Sequence, residues 1–102
     1  MIDMTQVINE LGGGPVLVGE EGKEEVLTLR LVCTRSLTAI LRQDDSVKGE
    51  EKLRRGMLAE RIYVNDEVEL KAEEVALVKE LVGRLYGPLV VLRVWRMLDP
   101  AE

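Results

Sequence analysis

The chain has 102 residues, with 19 acidic and 14 basic side chains, a formal net charge of −5, no histidine and one cysteine. Lack of histidine excludes Ser–His and Cys–His nucleophile pairs and histidine metal sites, and one cysteine cannot close an intrachain disulfide. A composition of 46% hydrophobic and 32% charged residues, with one Trp, two Tyr and no Phe, fits a single folded domain over 1–102 with an aliphatic core.

Residues 1–14 show no usable period, and the Gly12–Pro15 run "GGGP" reads as a break or loop. Two short β-prone runs follow, Pro15–Val18 and Glu25–Leu29, around the turn-rich Gly19–Lys23. This pattern predicts a β-hairpin over 15–29, which needs helices to lie against because a lone hairpin is marginal in water. From Thr28 the period changes. Leu29, Val32, Cys33, Leu37, Ile40 and Leu41 recur at helical steps, with Thr28 suited to the N-cap and "RQDDSVKG" to the end.

The second predicted helix runs from about Lys48 to Tyr63, with Leu53, Met57, Leu58 and Ile62 read as its core face. "VNDEVEL" is a loop or a short extended piece. The third helix is expected over Ala72–Tyr86, with Val75, Val78, Leu81, Val82 and Leu85 inward and Glu73 and Glu74 at the positive end of the helix dipole. Gly87–Pro88 forms a sharp joint into "PLVVLRVWRML", where eight of the ten residues Leu89–Leu98 are apolar. A helix that is apolar nearly all round belongs at the centre of its fold or at a subunit interface. Val90, Val91 and Val94 are β-branched, so a strand is the alternative for this stretch. The fold expected from these elements is mainly α (α+β), an N-terminal hairpin followed by about four short helices over 30–99 in a compact bundle.

Charge is unevenly spread. Residues 1–28 carry six acids against Lys23 alone, 29–62 carry eight bases against five acids, and 66–86 carry six acids against three bases. The middle segment is therefore mildly basic inside an acidic protein, a balance that disfavours a dedicated DNA binder. No apolar run is long enough to span a bilayer, and "MIDMTQVINELGGG" lacks the basic start and apolar stretch of an export signal, so a cytoplasmic location is expected.

Each candidate for chemistry has an ordinary explanation beside it. Cys33 lies on the apolar face of the first helix, where a buried structural thiol is expected rather than a nucleophile. "GGGP" is not followed by Gly-Lys-Ser/Thr, and no strand-to-helix GxGxxG occurs, so it reads as a flexible loop and not as a phosphate cradle. Asp44–Asp45 and "NDEVE" at 65–69 offer oxygen ligands but lack the alternation, central Gly and terminal Glu of a calcium loop, and read as solvated acids. Lys52, Arg54 and Arg55 sit with Glu50 and Glu51, and Glu51 to Arg55 is a favourable i,i+4 pair, the mark of a solvated helix face. About eight residues separate the second and third helices, too many for a helix-turn-helix.

"GEEKLRRGMLAERIY", "VELKAEEVALVKELVGRLYGPLVV" and the closing "ML-D" resemble a family of small uncharacterised proteins, about 100 residues long, of tailed bacteriophages and prophages. "EGKEEVLTLR" stands where that family has a "DGK"-type hairpin, so the resemblance covers roughly 15–99. Family members often place Ser ahead of the two acidic helix starts. Lys48 and Lys71 stand there in this chain, with Ser46 as a substitute cap for the second helix. The hairpin-then-helices layout is also similar to phage tail-assembly chaperones, which shield tail proteins before assembly. The resemblance implies a phage or prophage protein in the cytoplasm of a bacterial host. It would be non-enzymatic, without cofactor or metal, and act through contacts with a phage or host protein or with further copies of itself. The residues expected at such a surface are Lys52, Arg54, Arg55, Arg93, Trp95 and Arg96. The alternative is a nucleic-acid-associated or host-directed regulator using the basic 48–61 helix.

Overall fold

In the computed structural model, which describes residues 1–40 and 46–100, the chain forms β1 (Ile2–Asp3), β2 (Leu17–Val18), β3 (Glu25–Val26), α1 (Leu29–Thr38), α2 (Gly49–Val64), β4 (Glu67–Val68), α3 (Ala72–Leu85) and α4 (Pro88–Leu98). The expected fold class holds: an N-terminal hairpin and four helices, α+β and mainly helical. The hairpin is β2 antiparallel to β3, pairing Leu17 with Val26 and Val18 with Glu25. Gly19 makes its turn with φ +109°, and a Cβ there would lie 2.9 Å from the Lys23 carbonyl oxygen, so a larger residue would both strain and crowd the turn.

Helix α1 begins where Thr28 can cap it, the Thr28 hydroxyl accepting from the Leu31 N–H at 3.3 Å. The N–H groups of Leu29 and Arg30 donate instead to the carbonyls of Gln6 and Met4 at 2.8 and 2.9 Å. These carbonyls come from the first fourteen residues, which have no sequence period yet are integral to the fold. Met4 and Ile8 are fully buried, and β1 pairs antiparallel with β4, Ile2 opposite Val68. The short "VNDEVEL" strand thus gains a partner from the opposite end of the sequence.

One contiguous core contains Leu29, Val32, Cys33 and Leu37 of α1, Leu58, Ala59 and Ile62 of α2, Val78, Leu81 and Val82 of α3, and Val94 and Leu98 of α4. Helix α1 packs against α2, α3 and α4, and so sits at the centre of the bundle. Segment 88–98 is a helix, not the alternative strand. Pro88 occupies its first turn, where a missing N–H costs nothing, and Gly87 before it is extended. At α3 the Glu74 carboxylate accepts the Lys71 N–H at 2.9 Å, while Lys48 of α2 gives no side-chain cap and Ser46 does not replace it.

Three expectations fail at the edges of helices. Leu85, read as inward, is the last residue of α3 and is 40% exposed. Helix α1 ends at Thr38, Ala39 is extended, and Ile40 is 98% exposed rather than on the core face; its companion Leu41 lies outside the described residues. In α2 the expected core face splits. Leu58 and Ile62 are buried, but Leu53 and Met57 are 64% and 62% exposed. The reason is angular. Leu53 and Ile62 are nine positions apart, about two and a half turns, which puts them on opposite sides of the helix. Ile62→Ala is therefore expected to cost about 2–5 kcal/mol in denaturant unfolding, whereas Leu53→Ala should stay within about 0.5 kcal/mol at micromolar protein.

Candidate protein-binding face

The six residues expected at a surface separate into two groups, on α2 and on α4, and no extensive packing joins those helices. On α2, Lys52 is exposed. Arg54 lies 3.1 Å from Glu51 Oε1, and Arg55 Nε lies 3.5 Å from the same oxygen, which realises the expected i,i+4 pair. The Arg55 side chain is mostly covered, so its stem packs while its head stays paired. Exposed pairs of this kind stabilise by less than about 1 kcal/mol, but they offset the positive charge of the knot.

On α4, Arg93 and Trp95 hold the fold together. Arg93 donates from Nε to the Asn9 carbonyl and from Nη2 to the Glu10 carbonyl, both at 3.1 Å, tying the last helix to the first loop. Trp95 donates from Nε1 to the Lys79 carbonyl at 3.1 Å, and the Lys79 ammonium stands 4.8 Å from the ring centroid. The ring lies over Gly83, where an added Cβ would make ordinary contact with Trp95 Cζ2 at 3.7 Å. Arg96 is exposed beside an open cleft of about 550 Å³ between α4 and the N-terminal segment, lined also by Ile2, Asp3, Gln6 and Met97. Val94 and Leu98 are buried, and Val90, Val91 and Met97 are packed against the core. The apolar surplus of α4 is thus mostly consumed within the chain.

Exposed apolar side chains occur elsewhere too, among them Leu11, Leu17 and Ile40, but those of α2 share one helix face. Leu53, Met57, Tyr63 (68% exposed) and Val64 (67%) lie on its outward side with Gly56 and Glu60 between them. Steps of 4 and 7 from Leu53 through Met57 to Val64 keep these three within a narrow stripe about 17 Å long at 1.5 Å per residue. In the sequence Leu53 and Met57 read as core face, and Val64 reads as the start of the "VNDEVEL" loop. The overlooked signal is the half-turn offset from Leu58 and Ile62.

Other candidate chemistry has ordinary surroundings. Cys33 is fully buried, and burial pushes its thiol up to about 12, far from the reactive range. Gly13, with φ +102°, closes a loop in which the Glu10 N–H donates to the Gly14 carbonyl at 2.7 Å. In "NDEVE", Asp66 pairs with Arg30 and Glu67 lies in β4; Asp44–Asp45 fall outside the described residues. Among the described residues no three His, Cys, Asp or Glu side chains gather closely enough to hold a metal.

The Glu74 carboxylate is anchored by two donors. Burial raises its pKa, but the Lys71 N–H and the Arg61 guanidinium, 2.8 Å away, outweigh that and hold the carboxyl below its usual range. A group depressed on folding contributes stability above its unfolded pKa, and the contribution disappears as pH falls through the folded value. Glu74→Gln is expected to lower stability at neutral pH by under about 1 kcal/mol, with the two unfolding curves converging in acid. Compared with protein-family models, curated proteins and solved structures, the chain matches none, so the functional reading rests on its own surface.

Proposed function

We propose that this protein works by binding another protein through the outward face of α2 and performs no covalent chemistry. The observation that carries this is the uncovered stripe of Leu53, Met57, Tyr63 and Val64 on a helix whose opposite face is committed to the core. Apolar residues at i, i+4 and i+11 on one exposed side form the pattern by which a helix enters a partner's groove or pairs with another helix. Lys52 and Arg54 flank the stripe and supply a charged rim.

The resemblance to small proteins of tailed phages supports a phage or prophage origin and a phage or host protein as partner. A role in covering apolar surface during tail assembly, in the bacterial cytoplasm, fits such a face. Among the described residues no helix is long and apolar enough to cross a membrane. The rival reading, nucleic-acid association, uses the same helix. It is weakened by Glu51, which offsets Arg54 and Arg55.

The test compares tagged protein with its Leu53→Glu/Met57→Glu variant in lysate from the bacterium that carries the gene. Proteins retained by the parent should be lost from the variant, while the two unfold at the same denaturant concentration. Equal retention by both would remove α2 as the face for a phage or host protein. Tight binding of duplex DNA at low salt, lost on raising salt, would favour the rival.

A further inference from the structure

We infer that the partner for the outward face of α2 is a second copy of this chain, crossing it antiparallel about a twofold axis near Gly56. This rests on the reading of α2 as a protein-binding face and names what occupies it.

Three observations on the same helix converge. Gly56 stands in the middle of α2, exposed, without a positive φ, and a Cβ added there would meet nothing within 4 Å. Nothing among the described residues calls for glycine at this point, where it weakens the helix relative to alanine. A glycine between Leu53 and Met57 on an exposed face is a notch into which another backbone can approach closely.

The second observation is charge. Lys52, Gly56 and Glu60 form one i, i+4, i+8 row, and neither Lys52 nor Glu60 makes an ion pair among the described residues. In an antiparallel crossing about a twofold at Gly56, a residue four positions before the axis faces one four positions after it. Lys52 of each copy then faces Glu60 of the other, twice over. A parallel arrangement would set like against like.

The third is shape. Rows of i±4n residues are the ridges that interdigitate in the commonest helix crossing, at about −50°. With the notch at the crossing, Leu53 of each copy lies about 60° round the helix from Gly56 and borders the contact. The contact is isologous and closes on itself, so it gives a dimer and not a fibre. One helix crossing falls below the about 1,200 Å² of total area that standard interfaces bury, so association should be weak and depend on concentration.

Sedimentation velocity from micromolar to about millimolar protein tests this, with four variants. The parent should shift from monomer to dimer over this range. Gly56→Leu should abolish the shift while raising, or leaving unchanged, the resistance to unfolding, because leucine favours the helix. Lys52→Glu and Glu60→Lys should each weaken association by about tenfold, and the combined Lys52→Glu/Glu60→Lys chain should recover it. A parent that stays monomeric throughout overturns the inference, as does a combined variant no better than the single ones. If the parent is monomeric but the lysate comparison still separates it from Leu53→Glu/Met57→Glu, α2 binds a different protein. If both experiments fail, the binding-face reading itself falls.

Discussion

A helix begins with N–H groups that have no partner inside it, and in a buried helix these must be met by other parts of the chain. Helix α1 is that helix here, enclosed by α2, α3 and α4. Its first N–H groups are met by the carbonyls of Gln6 and Met4 and by the Thr28 hydroxyl. That need explains why the first fourteen residues belong to the fold. By lending their carbonyls to α1 they are drawn inside, and Met4 and Ile8 fill core space. The Met4 N–H then donates to the Asp66 carbonyl at 2.7 Å, and the Arg30 guanidinium pairs with Asp66 from the helix side. One set of hydrogen bonds thereby ties the N-terminus, α1 and the α2–β4 connection together.

The last helix is anchored by the same means. Arg93 reaches two backbone carbonyls more than eighty residues earlier, and Trp95 reaches the Lys79 carbonyl. Two residues of surface type in the sequence are therefore spent on internal bonds. The arginine fork suits this because it can satisfy adjacent acceptors while its stem packs on apolar neighbours. The consequence for function is indirect but large. With most of α4 absorbed into the fold, α2 is left carrying an exposed apolar stripe.

Electrostatics supports this division. The basic knot at Lys52, Arg54 and Arg55 is cut down by Glu51, which takes both arginines, so the residue left with free charge is Lys52. Glu60, two turns on, is its counterpart in sign. A face with an apolar stripe and one charge of each sign suits discrimination between protein partners, where charge sets register more than affinity. It suits a polyanion poorly.

The sequence by itself determined the elements whose signal is local. The 3.6 period marked α1 through α4, Thr28 marked a start, Gly87–Pro88 marked a joint, and Gly19 with Gly22 marked the hairpin turn, because caps, turns and periods act over a few residues. It also placed Cys33 inside and paired Glu51 with Arg55, both readable from spacing along one helix. Only the tertiary structure decided which of the two apolar stripes of α2 faces inward, since Leu53–Met57 and Leu58–Ile62 are equally periodic and differ only in what lies opposite them. It alone revealed the burial of Met4 and Ile8 and the pairing of β1 with a strand some sixty residues away, and it alone turned Arg93 and Trp95 from rim candidates into internal ties. Local sequence fixes how a segment coils, but burial is a property of two surfaces that meet, and the second surface is supplied by distant chain.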